Sequence, residues 1–433
     1  MAEQVAHIDA TNLLVRVVMV LTLVVALLAS WFVARWYLGN TLAEYSDADE
    51  NGVETVRRAV SWAPSDPLTH WRLGAMAQSQ LLPDQLHQVV AEYEMAVSLS
   101  PNDYRFWMAL GTALEQLGEV ERGEKALRRA TELAPSYAYP RWYLGNLLLR
   151  RGRYDQAFAE LRSAADANPE LRSQLLNFAW AIHSKDLDSL VEAVGTSASS
   201  RAELAAYLVG RQRYEDGILV WQRLNEVEKR ANRSSGDTIV GALVAAKRFP
   251  QAAEIANDLV PADAYRTGDG KFVDGGFEGD LVPQTGSVFG WQVKSVQQAQ
   301  VGIDPNRGHN STRSLRIVFH VPSHLESLSV SQLVPVKPET EYEFECYVRS
   351  QELQSASTPR IEIADAAEGQ ALIGSDQAST GNSDWQRIAL SFKTAAKTEA
   401  VTVKIVRASC VDDSVCPIFG TAWYDDFNLK RRN

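Results

Sequence analysis

A repeated Trp and Gly helix signature constrains this chain more than any other feature. Each copy is followed by a second helix-like segment that ends at a proline, and the last two glycines are 34 residues apart. The copies are Trp71–Gly74, Trp107–Gly111 and Trp142–Gly145, with prolines at Pro101, Pro135 and Pro169. Because proline ends a helix and small residues let helices approach closely, the pattern predicts stacked helix pairs. We expect an all-α repeat solenoid over residues 50–260, clear to 169 and degenerate afterwards.

The best copies resemble the tetratricopeptide repeat family. One of them reads Gly111…Leu114…Gly118…Gly123…Leu127…Ala130…Pro135. The resemblance implies a concave groove, made by the first helix of each pair, that docks a partner protein and rarely catalyses. Carried over by register, the groove residues are Trp71, Arg105, Met108, Thr112, Glu115, Tyr139, Trp142, Asn146 and Arg150.

Two tryptophans depart from the family pattern. Only Trp107 occupies the usual position, whereas Trp71 and Trp142 come one place later, towards the groove. Two interpretations stay open at this point. Either the two side chains repack their helix pairs, or they line an aromatic site for a partner.

An apolar segment near the N-terminus predicts a membrane anchor. Val17–Val33 is almost uninterrupted, and flanking apolar residues extend it to 13–38. About 20 apolar residues suffice to cross a bilayer. Arg16 and Arg35 then snorkel to the two interfaces, and Trp31, Trp36 and Tyr37 form an aromatic belt. The apolar core exceeds that of a signal peptide and lacks a small-x-small cleavage site, so we expect an uncleaved transmembrane helix after a short head, 1–12.

Charge limits the partners and the location. Lys and Arg number 43 against 54 Asp and Glu, a net charge of −11. This argues against a general nucleic-acid binder, which needs clustered cations. Basic residues flank the apolar segment almost equally, so the positive-inside rule does not fix the orientation of the helix in the membrane. Since the short head is easily retained inside, we expect a single-pass protein of the bacterial cytoplasmic membrane, with its bulk extracytoplasmic.

The last third of the chain changes to strand-like alternation. Short alternating segments lie between turn signals, at Ser314–Phe319, Tyr342–Val348, Gln386–Phe392 and Val401–Val406. Period-2 alternation over many short strands predicts an all-β sandwich over residues 268–433.

The order of motifs in that region resembles the galactose-binding-like jelly rolls, especially carbohydrate-binding modules of families four and nine. The motifs include an opening Asp274–Glu278 and a closing Trp423–Leu429. The resemblance implies a sugar-binding site, with Trp291, Tyr347 and Tyr424 as candidate residues. Core packing is the alternative for Trp291, and relatives of this fold also bind proteins or brace a neighbouring domain.

The same resemblance implies a structural calcium ion where the first and last strands meet. Glu278 and Asp425 are the candidate ligands, since hard cations prefer oxygen. Alternation places Trp423, Asp425, Phe427 and Leu429 on one face of the last strand. An Asp among core residues needs a partner, either a cation or hydrogen bonds from the N-terminal turn.

Three cysteines are too few for a disulfide scaffold. Cys410 and Cys416 are expected to bridge a hairpin loop, and Cys346 to be a buried free thiol. Nucleophile-elbow, zinc-protease, P-loop and dinucleotide motifs are missing from the sequence. We therefore expect a non-enzymatic cell-envelope protein whose solenoid docks a protein and whose jelly roll binds or braces a glycan, in extracellular polysaccharide assembly or export. The alternative is a pure protein scaffold of a membrane complex, without sugar binding.

Overall fold

The computed structural model describes residues 13–46, 50–79, 85–261, 263–281, 288–294, 299–321, 329–407, 410 and 416–432. The predicted fold class is confirmed: one long apolar helix, helical repeats and a β-sandwich. The chain divides into two compact units, Met1–Val194 and Gly195–Asn433. The predicted head, 1–12, lies outside the described residues. The predicted domain limits near 260 and 268 stay a prediction, because the contacts group the later helices with the sheets.

The first unit is helical throughout its described residues. Antiparallel pairs follow one another, joined by short turns. The helices are α1 Leu13–Glu44, α2 Glu50–Trp62, α3 Pro67–Ser79, α4 Leu86–Leu99, α5 Tyr104–Gln116, α6 Val120–Leu133, α7 Ala138–Arg150, α8 Tyr154–Ala167, α9 Arg172–His183 and α10 Leu187–Val194.

The apolar helix α1 continues past the predicted limit at Leu38. Its residues up to Leu38 are largely exposed, but Gly39 and Ala43 are buried against the next helices. A Cβ on Gly39 would lie 2.7 Å from the Cβ of Ala63. The end of α1 is therefore the first helix of a repeat whose second helix is α2, whereas the predicted solenoid begins only with this second helix, at residue 50.

Glycines at the helix crossings explain the close pairing of α5 with α6. A Cβ on Gly111 would meet Leu127 Cγ at 2.6 Å and Gly123 O at 3.0 Å. After α5, Gly118 adopts φ +89°, a left-handed conformation that suits glycine and turns the chain into α6. The repeat signature thus encodes both the contact and the turn.

The second unit begins with further helices, packed in part around a buried tryptophan. They are α11 Ala198–Gly210, α12 Tyr214–Gln222, α13 Glu226–Ala231, α14 Arg233–Ala245 and α15 Phe249–Asp258. Trp221 is fully buried and donates from Nε1 to Asp258 Oδ2 at 3.0 Å. Asn257 then exchanges two hydrogen bonds with the Thr267 backbone, which ties α15 to the segment that enters the sheets.

Two five-stranded antiparallel sheets follow in the same unit. Their orders are β1-β4-β9-β6-β7 and β2-β3-β10-β5-β8. The strands are β1 Gln292–Lys294, β2 Ala299–Asp304, β3 Ser314–Val321, β4 Ser329–Pro335, β5 Glu341–Gln354, β6 Pro359–Asp365, β7 Ala371–Gly374, β8 Gly381–Lys393, β9 Ala400–Arg407 and β10 Ile418–Arg431. One apolar cluster draws residues from both sheets, so the sheets form a sandwich.

A bulge in β10 corrects the predicted alternation of the last strand. Pairing with β5 shifts register between Asp425 and Asn428, and Asp426 has φ +51°. Trp423 and Asp425 therefore lie on the outer face of the sheet, whereas Phe427 joins the core. The extra residue of a bulge reverses the side to which later side chains point, which a strict period of two cannot predict.

Candidate functional site

The predicted groove is built on α3, α5 and α7, the first helices of successive pairs. Gln78 Nε2 donates to Gln116 Oε1 at 2.8 Å, which joins the ends of α3 and α5. Arg150 on α7 reaches back to both carboxylate oxygens of Glu115 on α5, at 2.6 and 2.7 Å. These pairs hold the three helices side by side and parallel.

An open pocket lies at the α1 end of this groove. It has a volume of about 290 Å³. Trp71, Arg72 and Arg105 supply an aromatic ring and two guanidinium groups, and the end of α1 supplies Asn40, Ala43 and Glu44. A ring next to two cations suits an acidic side chain beside an apolar one.

The two tryptophans have different surroundings. Trp142 is only 8% exposed, and its ring stacks on Phe178 of α9 with centroids 5.7 Å apart. Trp71 is half-buried and lines the pocket, and its ring centroid lies 6.3 Å from that of Phe106. Packing thus accounts for Trp142, while Trp71 keeps a surface that a partner can reach.

The other predicted groove residues are spread along the same helices. Met108 is half-buried, and Tyr139 is 51% exposed. Thr112 and Asn146 donate hydrogen bonds to carbonyls of their own helices, Ala109 and Trp142. Arg105 is exposed and pairs with Asp103 at 2.6 Å, so it can exchange this carboxylate for that of a ligand.

Arg72 and the end of α1 are the parts of the pocket that sequence reasoning missed. The Arg72 guanidinium donates to the carbonyl of Ser46 at 3.0 Å, and its Nε is buried without a hydrogen-bond partner. Its position next to Trp71 was the available signal. No sequence signal revealed the contribution of α1, because an apolar helix predicts contact with lipid rather than with a second helix.

A buried ion pair connects α3 to α4. His70 is 7% exposed, and its Nδ1 lies 2.7 Å from Glu92 Oε2 on α4. The hydrogen bond to Glu92 raises the pKa of His70 above its usual value, although burial opposes the shift. The pair therefore favours the protonated imidazole and locks α3 onto α4.

The sandwich offers a second candidate surface, the outer face of sheet β2-β3-β10-β5-β8. The pairing of Asp425 with Tyr347 and of Trp423 with Arg349 defines this face. The loop between β2 and β3, residues 305–313, lies over it. Arg307 stacks on the Trp423 ring, with its guanidinium carbon 4.6 Å from the centroid.

His309 fixes this loop to the sheet. Its ring stacks on Tyr347 with centroids 3.6 Å apart, and its backbone N–H donates to Asp425 Oδ2 at 2.7 Å. Its Nδ1 lies 2.7 Å from Asp426 Oδ2, which also accepts from Asn310. One face of Tyr347 is consequently covered by the chain itself.

Burial corrects two of the three predicted sugar-binding residues. Trp291 is 8% exposed, stacks between Phe272 and Phe277, and donates from Nε1 to the Asp274 carbonyl at 2.9 Å. Tyr424 is fully buried. Neither ring can present a face to a sugar, because strand alternation and the N-terminal turn place both in the core.

Tyr347 remains at the wall of an open, polar cleft. The cleft has a volume of about 700 Å³. Side chains that can bond hydroxyl groups surround it, and Tyr265, 54% exposed, adds a second ring. The polar lining includes Arg266, Asp269, Lys271, Asn310, Glu345, Asp426 and Asn428.

Asp425 is a buried acidic residue on the outer face of the sheet. It is fully buried, and its two carboxylate oxygens accept the backbone N–H groups of His309 and Asp426. Burial raises its pKa to about 6, with smaller contributions from the charges of Asp426 and Glu278. The hydrogen-bond alternative for this residue is therefore realised, with the β2–β3 loop rather than the N-terminal turn as donor.

The predicted calcium ligands do not by themselves fit the ion. Calcium takes six to eight oxygen ligands. Within the described ranges, groups of three or more His, Cys, Asp or Glu side chains suited to a metal do not occur. Glu278 and Asp425 leave most of that coordination unfilled, and a calcium ion between them stays a prediction.

The structure also contains the predicted cysteine bridge, the buried free cysteine and a long apolar helix. Cys410 and Cys416 are joined by a disulfide with Cα atoms 5.6 Å apart, and Cys346 is a buried free thiol. Within the part of the chain that is described, α1 is the helix long and apolar enough to cross a membrane, by length and composition.

Comparison with known proteins identifies the repeats. Residues 85–138 and 108–171 match the family model of the tetratricopeptide repeat, which supports repeats of this kind in that part of the chain. Superkiller protein 3 of Schizosaccharomyces pombe is 26% identical over 138 residues, which are 31% of this chain and 10% of that protein. The chain thus matches about a tenth of the length of this curated relative.

Solved structures show weaker likenesses. PilF of Pseudomonas aeruginosa has 18% identity and a TM-score of 0.32, covering 45% of this chain and 91% of that one. A crystal structure of MamA has 17% identity and a TM-score of 0.30, covering 40% and 88%. A xylanase 10B fragment of Clostridium thermocellum, complexed with xylohexaose, has 17% identity and a TM-score of 0.27, covering 38% and 29%. Scores this low support no inference about the function of this chain.

Proposed function

We propose that this protein is a membrane-anchored, non-enzymatic scaffold that docks a protein partner in the groove of its tetratricopeptide repeats. The observation that carries the proposal is the open pocket beside Trp71. Repeats of this family typically bind proteins, and here the groove ends in a pocket with a half-buried aromatic ring and two guanidinium groups. The partner segment presents an acidic residue next to an apolar or aromatic one.

The anchor is α1. Its residues from Leu13 to Leu38 are largely exposed in the folded chain and apolar except for two arginines, Thr22 and Ser30, and such a surface needs lipid around it. The compartment follows from a second feature. The Cys410–Cys416 disulfide suits an oxidising environment and supports an extracytoplasmic location of the bulk, outside a bacterial cytoplasmic membrane.

Photocrosslinking in intact membranes tests the docking. A photoreactive benzoyl-phenylalanine at Leu68, 37% exposed at the pocket rim, captures the partner for identification by mass spectrometry. The affinity of the captured segment is then measured with the full chain. We expect Trp71→Ala to weaken binding about 30-fold, as at an interface hot spot.

The matched control is Tyr154→Ala, which removes an aromatic ring of 41% exposure outside the pocket. It should bind like the wild type. Equal affinity of Trp71→Ala and Tyr154→Ala would refute docking at this pocket.

A second function is favoured by the polar cleft beside Tyr347. A half-buried tyrosine with one free ring edge, among amides, carboxylates and cations, can hold a sugar by contact with the ring and by bonding the hydroxyls. We propose that a glycan binds here, in the setting of extracellular polysaccharide assembly or export. The competing possibility is that the sandwich only braces the chain, as in a pure scaffold.

A glycan array with the full chain in detergent separates these two. We expect Tyr347→Ala to abolish any glycan signal and Phe419→Ala, a ring of 42% exposure outside the cleft, to keep it. If the wild type retains no envelope glycan, the sugar proposal falls and the pure scaffold stands.

A further inference from the structure

The anchor and the repeats share one helix. Residues up to Leu38 are exposed and apolar, while Gly39 and Ala43, on the same unbroken helix, are packed into the first repeat. The contact is tight, since a Cβ on Gly39 would clash with Ala63. A continuous helix leaves no flexible linker, so the first unit has a fixed orientation relative to the segment that enters the membrane.

The contacts of α1 show which edge of the repeats faces that segment. Asn40 bonds Asp66 just before α3, and the Ser46 carbonyl bonds Arg72 further along α3. Hence α1 and α3 run in the same direction. Trp71 packs near Phe106 of α5, and Tyr104 at the start of α5 lies 5.1 Å from Tyr137 before α7. The starts of α3, α5 and α7 all lie on the side from which α1 arrives.

This edge carries exposed apolar and aromatic side chains, and we call it the aromatic edge. Its members lie at the ends of α2 and α4 or at the starts of α3, α5 and α7. They are Trp62, Leu68, Leu99, Tyr104, Tyr137 and Tyr139, with exposures between 37% and 58% apart from half-buried Tyr104.

The opposite edge, where the first helix of each pair turns into the second, is mostly polar, and Tyr154 is an exposed aromatic residue there. Its turns contain Gln116, Glu119, Arg151 and Arg153, which are exposed or half-exposed. Charged residues on the aromatic edge are paired with each other or with neighbouring helices, as in Asp103 with Arg105, Arg141 with Glu160 and Arg129 with Glu132. The two edges of one solenoid therefore differ in the way expected for a surface that meets a bilayer on one side.

The distances agree with contact at the head-group layer. Arg35 at the end of the apolar segment donates to the Ser61 carbonyl, which places neighbouring Trp62 at the same level. Asn40, which bonds Asp66 before Leu68, lies about 7.5 Å further along the helix. Each head-group layer is about 5–7 Å thick. Tyrosine and tryptophan are the residues that favour this layer.

We propose that the aromatic edge rests in the head-group layer of the membrane that α1 crosses, so that the groove opens along the membrane surface. The inference rests on the anchoring proposed above. It implies that the Trp71 pocket, which contains residues of α1, receives a segment of a partner close to the bilayer.

Site-directed fluorescence in vesicles tests this placement. Full-length protein is reconstituted in phosphatidylcholine vesicles that carry a nitroxide on the lipid head group. An environment-sensitive dye is attached at Ser136→Cys, beside the aromatic edge, or at Arg151→Cys on the polar edge. Since Cys346 is buried and the other cysteines are paired, the unsubstituted chain measures background labelling. We expect the nitroxide to quench the dye at 136 at least about twofold more than the dye at 151.

Two further variants separate the possible failures. A dye at Val25→Cys, in the exposed apolar part of α1, reports the anchor itself with a nitroxide placed on the acyl chain. Quenching at 25 with equal quenching at 136 and 151 overturns the edge contact and leaves the anchor intact. No quenching at 25 overturns both. A dye at 136 that is shielded from aqueous iodide but not quenched by lipid is covered by protein, which also overturns the proposal.

The aromatic residues themselves are tested in the 136-labelled chain. Adding Tyr137→Ser and Tyr139→Ser should reduce quenching at 136 towards the value at 151, because both rings are exposed and available to the head groups. Thermal melting checks that the fold is unchanged. Unaltered quenching would show that α1 alone sets the distance and that the edge contributes nothing.

Discussion

The repeat groove and the outer face of the sandwich are both candidate binding surfaces, yet they are built in opposite ways. In the groove, side-chain pairs across parallel helices fix the floor and leave Trp71 open at one end. On the sandwich, the chain folds its own loop over the sheet, and His309 covers one face of Tyr347. A repeat leaves its concave surface free by construction, whereas a sheet face is free only where no loop crosses it.

The largest expected effect concerns the two tryptophans of the groove. Trp142→Ala should cost about 3–5 kcal/mol in free energy of unfolding of the first unit, because it empties a buried site next to Phe178. Trp71→Ala should cost clearly less, since that ring is half-exposed. Denaturant unfolding of the two variants measures the difference. Similar costs would mean that both rings are packing residues and that the groove has no open aromatic site.

The next effect concerns the bulge that shapes the outer face. Asp426→Val places a β-branched residue at φ +51° and removes the bonds to His309 and Asn310, which should cost about 1–3 kcal/mol. Asp426→Asn tolerates that backbone conformation and serves as the control. Urea denaturation, followed by hydrogen exchange in β10, gives the comparison. If Asp426→Val and Asp426→Asn have equal free energies of unfolding, a β-branched side chain does not strain the backbone of the bulge.

How much of each surface could be predicted follows from the same contrast. The groove positions were carried over by register from the repeat family that the sequence resembles, and Trp71 and Glu115 lie on the first helices of their pairs as that register requires. The sandwich core also followed from alternation. Asp425 did not, because the bulge at Asp426 reverses the alternation and the burial of Asp425 depends on a loop from the other end of the module.

The first repeat shows a different limit. An apolar segment predicts lipid contact, and that prediction ends at Leu38 because the sequence turns polar there. The structure continues the helix to Glu44 and uses Gly39 as the contact with α2. One glycine without a repeat partner carries too little information to reveal a helix pair shared between an anchor and a solenoid.

Acidity should distinguish the two units by the pH window in which each loses stability. The folded pKa of His70 is raised by Glu92, so the protonated pair stabilises the first unit fully below about pH 6.5 and the gain is lost as pH rises through the folded value. Burial raises the pKa of Asp425 to about 6. Its buried negative charge therefore destabilises the second unit as pH rises from about 4 through 6. Each slope is at most about 1.4 kcal/mol per pH unit.

Hydrogen exchange followed by mass spectrometry resolves the two units in one sample. Peptides of α3 and α4 should lose protection above pH 6.5, and peptides of β10 should lose it at lower pH, after correction for intrinsic exchange rates. His70→Gln should flatten the first response without altering the second. A common window for both sets of peptides would rule out these two groups as the source.

The smallest expected effect is at the ion pair across the groove floor. Arg150 is exposed, so its bidentate contact with Glu115 should contribute only about 0.2–1 kcal/mol to stability despite the short distances. Arg150→Met keeps the apolar stem and removes the charge, and Arg151→Met, on a neighbour that is also exposed and paired with a glutamate, is the control. Partner affinity should change more than stability, because the Glu115 carboxylate would then be free to repel an acidic segment. If both variants bind the partner equally well, the floor of the groove is not part of the docking surface, and contact is confined to the pocket beside Trp71.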